Sequence, residues 1–105
     1  MPWRDYDGVE FLEKGGFWMQ KQHIFLYPFY YIDYALAAVG AFEFYSKMRK
    51  DQKSAWEDYI KLCRAGGSKG YFELLKLAGL SNPFEEGTVA RAVKAVTDAM
   101  ESGIY

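Results

Sequence analysis

Histidine and cysteine each occur once in these 105 residues, as His23 and Cys63, and proline occurs three times. A lone cysteine makes no intrachain disulfide and no thiolate metal cluster, so a buried, inert thiol in a reducing compartment is expected. A single histidine rules out a self-sufficient HExxH zinc site, which needs two histidines on one helix face and a further ligand. Charge of one sign is lacking too: 13 basic and 14 acidic residues leave a net −1, with none of the basic excess that nucleic-acid binders carry. The pairs Gly15-Gly16 and Gly66-Gly67 follow no strand-like run and lack the GK[ST] ending of a phosphate loop. There is no GxSxG elbow, and strand-like alternation is absent throughout. A self-contained hydrolase is therefore not expected.

Long apolar runs are nearly absent. The 19 residues from Ile24 to Phe42 carry one charge, Asp33, and have the length of a membrane span. Pro28 interrupts them, and Glu43, Lys47, Arg49, Lys50 and Asp51 follow in the same helical pattern, so insertion is not expected. The start, MPWRDYDG, places acids where a secretory signal needs a basic region and an apolar stretch. A soluble, cytoplasmic chain is the expectation.

Aromatic residues are what the chain has in excess. Three Trp, nine Tyr and eight Phe make up 19% of it, more apolar surface than a few short helices cover, so a partner surface is expected. One domain over residues 1–105 is the expected organisation. Its class is all-α, about five helices with short connections. Residues 1–10 lead in as a turn-rich loop with Pro2, Asp5, Asp7 and Gly8. A first helix runs over 9–25, weakened at Gly15-Gly16, with His23 near its end. Pro28 stops it and suits the first turn of a second helix over 29–49. That helix is apolar on both sides, so it is expected to be buried all round, with Ala35, Ala37, Ala38, Gly40 and Ala41 admitting a close neighbour. Asp51 caps a third helix whose inner stripe is Trp56, Tyr59, Ile60 and Cys63, leaving Glu57, Asp58, Lys61 and Arg64 to water. Gly66-Gly67 ends it, Ser68 is placed to cap a fourth over 69–78 that packs through Phe72, Leu74, Leu75 and Ala78, and Gly79 stops that one. Ser81-Asn82-Pro83-Phe84-Glu85-Glu86 predicts a short helical turn, and a last helix from Thr88 has Val89, Val93, Val96 and Met100 as its inner face.

The chemistry concentrates at the proline turn. His23, Tyr30, Tyr31 and Tyr34 bring an imidazole and three phenols to one junction, and donors of this kind aimed at a developing oxyanion serve acyl transfer. A helix-end histidine bonded to a backbone carbonyl, with tyrosines as ordinary core aromatics, accounts for the same residues. Asp33 divides likewise between orienting a tyrosine or His23 and capping the turn.

The run GGFWMQKQHIFLYPFYYIDYALAAVGAFEFY resembles the C-terminal region of oligoendopeptidase F, in the thimet-oligopeptidase-like zinc metallopeptidases of family M3. Trp18, Gln22, His23, Ile24, Phe25 and Pro28 through Tyr34 carry the resemblance, with Gly66-Gly67-Ser68, Ala78-Gly79-Leu80 and the NPFEEG run from Asn82 to Gly87. The resemblance implies a parent enzyme that hydrolyses internal bonds of oligopeptides, with zinc held by an upstream HExxH and a downstream glutamate. It implies that His23 hydrogen-bonds the substrate backbone, and that Tyr34 with Tyr30 or Tyr31 donates to the oxyanion. Zinc ligands and general base are missing here, so this chain alone is expected to bind no metal and to be inactive. Its expected partners are the upstream HExxH-bearing part, an oligopeptide substrate in the parent enzyme, and, in isolation, further copies of itself. The rival reading is a small non-enzymatic helical interaction or scaffold protein that self-associates.

Overall fold

Glycines and one proline cut the chain into short helices. The computed structural model describes Met1 and residues 3–103; Pro2, part of the predicted lead-in, lies outside them. Six α-helices follow in order among the described residues: α1 (Glu10–Glu13), α2 (Gln22–Leu26), α3 (Ile32–Lys50), α4 (Gln52–Ala65), α5 (Tyr71–Leu77) and α6 (Thr88–Glu101). A 3-10 segment, Gly16–Gln20, lies between α1 and α2, and no strand occurs among the described residues. The class is all-α, as expected. The chain divides into two compact units, Met1–Asp33 and Tyr34–Tyr105.

In the first unit the single helix expected over 9–25 is three pieces. Gly15 takes φ 96°, a left-handed conformation that glycine adopts without the Cβ penalty, and it ends α1. Gly16 is buried, and a Cβ there would collide with the Phe11 ring, so the close approach itself requires glycine. Beyond it Phe17 meets Tyr6 at 5.8 Å between ring centroids, with the Arg4 guanidinium 4.4 Å and the Lys21 ammonium 5.2 Å from the Phe17 ring. The Tyr6 and Arg4 contacts hold the lead-in loop to the 3-10 segment.

The second unit is built on α3. Asp51 caps α4 as expected, its Oδ1 accepting from the Ser54 N–H at 3.2 Å. Gly66, at φ 51°, ends α4, but the residue that precedes α5 is Gly70, not Ser68, and Glu73 Oε2 accepts from the Gly70 N–H at 3.1 Å. Gly79, at φ 62°, closes α5: its N–H donates to the Lys76 carbonyl and that of Leu80 to the Leu75 carbonyl, the paired bonds of a Schellman motif. Residues 81–86 form turns, not a helix. Asn82 Oδ1 accepts from the Phe84 N–H, which holds the first of them.

The core keeps Leu75 and Ala78 of the stripe expected for α5 but departs from those expected for α4 and α6. Its buried side chains are Ala55, Leu75, Ala78, Thr88, Ala92 and Ala99, while Val89, Val93 and Met100 of α6 and Trp56 and Tyr59 of α4 are exposed. Small residues win because alanine lets helix backbones approach closely, and the bulky face of each helix is left outward. Cys63 is exposed too, against the expectation of a buried thiol. Most notably, α3 has no buried residue, although its sequence called for burial on all sides.

Asp58, expected in water, is instead the hub between helices. Its Oδ2 takes the Lys47 ammonium at 2.5 Å, and the same Nζ donates to the Ala78 carbonyl at 2.9 Å. Lys47 thereby satisfies a carbonyl that the end of α5 leaves without a helical partner. One turn back on α3, both Glu43 carboxylate oxygens accept from the Ser81 N–H, at 3.1 and 3.3 Å. The Lys47 hydrogen bond, and after it the Lys61 one, holds the Asp58 carboxyl below its ordinary pKa.

Candidate functional site

Pro28 turns the chain as expected, but the next helix begins three residues later than its sequence indicated. Tyr27 follows α2 with its N–H donating to the His23 carbonyl at 3.0 Å. Phe29 then takes φ 69°, outside the helical region, and the helix starts only at Ile32. Two turn bonds bridge the gap: the Tyr30 N–H donates to the Tyr27 carbonyl and the Asp33 N–H to the Tyr30 carbonyl, both at 3.2 Å. Tyr30 and Tyr31 therefore sit on the turn and not on the helix that carries Tyr34.

The reversal brings two of the four candidate residues together. The His23 and Tyr31 rings stack in parallel, 4.1 Å between centroids and 2° between planes. This contact fixes the plane of the imidazole and sets a phenol beside it. Tyr30 goes elsewhere, its ring meeting Tyr27 edge-on at 6.5 Å and 63°. On the far side of α2 the rings of Trp18 and Phe25 stack at 5.6 Å. His23 is half-buried, while Tyr30 and Tyr31 are exposed. Tyr34, exposed on the first turn of α3, belongs to the second compact unit. Asp33 stands in the first turn of α3, where a carboxylate complements the helix dipole.

Two side chains that organise the second unit, Lys47 and Glu43, were not singled out from the sequence. The signal for them was their position: charged residues at i and i+4 inside a helix otherwise apolar on both sides have something to bond. Beside them lies a concavity of about 210 Å³ lined by Lys50, Ser81 and Arg91. A second, apolar concavity of about 380 Å³ runs between Leu36, Gly40, Phe44, Tyr59 and Leu74.

Zinc, which the resemblance implies for the parent enzyme, finds no matching donor set here. Among the described residues no three His, Cys, Asp or Glu side chains converge as a metal site requires. No described helix is long and apolar enough to cross a membrane.

No family model matches the chain. Over 56 residues it is 36% identical to an oligoendopeptidase F homolog of Borreliella burgdorferi, a match spanning 53% of this chain and 10% of that protein. Its fold is similar to that of PZ peptidase A, solved with an inhibitor, with a TM-score of 0.82 and 48% identity over 97% of this chain and 18% of the other. It is equally similar to an X-ray structure described as an oligoendopeptidase F, with a TM-score of 0.82 and 48% identity over 96% and 18%. The chain thus spans less than a fifth of the length of each of these proteins. By sequence and by fold alike, it matches the C-terminal helical part of the oligoendopeptidase-F-like peptidases.

Proposed function

We propose that this chain forms one wall of the active site of an oligoendopeptidase-F-like zinc endopeptidase acting on oligopeptides. His23 donates a hydrogen bond to the substrate backbone, and Tyr34 with Tyr30 or Tyr31 donates to the oxyanion that develops on the scissile carbonyl. The metal, its ligands and the general base lie outside these 105 residues, so the chain binds and orients but does not hydrolyse alone. The single-cysteine composition fits a cytoplasmic setting.

The observation that carries this reading is the parallel stack of His23 on Tyr31 at the Pro28 turn. A ring held in one plane by its neighbour is a pre-organised donor, and pre-organisation is what distinguishes a binding wall from a core aromatic cluster. The test is hydrolysis of a quenched fluorescent oligopeptide by the purified chain. No turnover is expected, and a chelator-sensitive rate would sink the proposal.

A second reading, a self-associating helical scaffold without catalytic partners, draws on the number of exposed large apolar side chains. Sedimentation at several concentrations separates the two when combined with activity after grafting. A dimer whose graft into a peptidase relative is inactive favours the scaffold.

A further inference from the structure

Resting on the active-site reading above, we infer that Phe29 is a positioning residue: its left-handed backbone, and not its ring, sets Tyr31 against His23. Three observations lead to it.

The first is the conformation itself. Among the described residues the non-glycine positions with positive φ are Asp7, at 53°, and Phe29, at 69°. Aspartate tolerates that region through local hydrogen bonds of its short side chain, whereas a bulky residue there is strained. The sequence around Phe29 calls for nothing of the kind. Proline at 28 suits the first turn of a helix, and the apolar pattern of α3 extends back to Phe29. The chain holds a costlier torsion than its own pattern favours, and such outliers cluster where a site must be held in one geometry.

The second is what the torsion accomplishes. With Phe29 helical, Tyr31 would join the α3 row of Tyr34 and Ala35, three and four residues on. With Phe29 left-handed, α3 starts at Ile32 and the Tyr30 N–H reaches the Tyr27 carbonyl at 3.2 Å. The Tyr31 ring then lies 4.1 Å from the His23 ring with 2° between their planes, and Tyr30 meets Tyr27 edge-on. These contacts over-determine the turn and offset the strain at Phe29.

The third concerns the ring. Phe29 is 93% exposed, so its side chain gains almost nothing from the chain that carries it. The two turn bonds are donated by Tyr30 and Asp33, so neither rests on the Phe29 N–H. What Phe29 supplies to the turn is its backbone torsion. On the active-site reading, that torsion fixes the imidazole and the phenol before substrate arrives, which leaves no reorganisation for the reaction.

His23 is the only histidine, so its imidazole protons are a single NMR probe of the stack in the 105-residue chain. A tyrosine ring parallel to the imidazole moves those resonances upfield, and Tyr31→Leu supplies the unstacked reference. Phe29→Gly reaches a left-handed φ without a Cβ penalty and should keep the upfield shift. Phe29→Pro locks φ at about −65° and should bring the shift to the Tyr31→Leu value, with amide protection in α4 showing that the variant is folded. If it does not fold, Phe29→Val, whose branched Cβ disfavours positive φ, takes its place. Retention of the shift in the proline or valine variant would overturn the inference. So would its loss in Phe29→Gly, which makes the ring the agent, and so would an unsubstituted chain that already matches Tyr31→Leu.

In a second arm these 105 residues replace the matching segment of PZ peptidase A, and hydrolysis of a quenched fluorescent oligopeptide is followed. Phe29→Pro should lose about a hundredfold in kcat, the lower end of what one misplaced oxyanion donor costs, while Phe29→Gly keeps most of its turnover. Adding Phe29→Pro to Tyr31→Leu should cost no more than Tyr31→Leu alone, because residue 29 acts through the stack. Additive losses would overturn that route. The two arms separate the inference from the reading beneath it. The expected shifts in the chain, with turnover in the graft indifferent to every variant, reject the active-site wall and leave the stack positioned by Phe29. Turnover lost in Tyr31→Leu, Phe29→Pro and Phe29→Gly alike retains the wall and rejects the torsion.

Discussion

Lys47 and Asp58, eleven residues apart, meet at 2.5 Å and tie α3 to α4 while the same ammonium reaches the carbonyl of Ala78 at the end of α5. One side chain thus joins three helices whose apolar contacts are few. Its energetic share is largest where the core is smallest, and the buried side chains among the described residues are only four alanines, one leucine and one threonine.

The pH dependence of stability should carry the signature of this pair. The folded-state pKa of Asp58 is lowered, first by the Lys47 hydrogen bond and then by Lys61. Its contribution is therefore present above the unfolded carboxylate value of about 4 and is lost as pH falls through the folded value. Asp58→Asn should lower the melting temperature by a constant amount between pH 7 and 5, and the gap to the parent should close below pH 4. A gap that persists unchanged at pH 3 would mean the carboxylate's charge is not what stabilises the junction.

Gly79 closes α5 at φ 62°, and a Cβ there would lie 2.9 Å from Lys47 Nζ and 3.6 Å from Asp58 Oδ2. Gly79→Ala incurs the left-handed penalty of about 1–2 kcal/mol. It also displaces the ammonium. Urea unfolding should show at least that loss, and Gly67→Ala, where a Cβ meets nothing within 4 Å, should show much less.

Glu43 supplies both acceptors for the Ser81 N–H in a half-buried position. Glu43→Ala removes a charge-assisted bond and leaves that donor unmet, a cost of about 1–3 kcal/mol. The same urea measurement, with Glu43→Gln recovering part of the loss, separates hydrogen bonding from charge.

Punctuation was legible in the sequence, and burial was legible only at Leu75 of α5 and Ala78 at its end. Pro28, Asp51, Gly66 and Gly79 act on the backbone within a residue or two, so their effect is local and can be read without knowing the fold. Which side of α4 or α6 faces inward depends on what approaches it. The valines of α6 formed a convincing stripe, yet Ala92 and Ala99 are the residues in contact, because short side chains let the neighbouring backbone in. The stack of His23 on Tyr31 was hidden for a different reason. It depends on Phe29 taking a left-handed conformation that bulky residues rarely adopt, so periodicity continued the helix through Tyr30 and Tyr31 when the chain turns there.

The two contributions of Tyr31 can be separated by a pair of substitutions in the grafted peptidase. Tyr31→Phe keeps the ring against His23 and removes only the phenol; Tyr31→Leu removes both the phenol and the flat face. Loss of one oxyanion donor costs on the order of 10²–10³ in kcat. If Tyr31 is that donor, both variants fall by this amount and Tyr31→Leu falls further, since the imidazole then loses the flat face stacked against it. If Tyr31 serves only to hold His23, Tyr31→Phe keeps its turnover while Tyr31→Leu loses it, and Tyr34→Phe becomes the variant with the 10²–10³ deficit. Turnover unchanged in all three would remove the Tyr31 and Tyr34 phenols from the chemistry and leave the stack as a structural contact of the Pro28 turn.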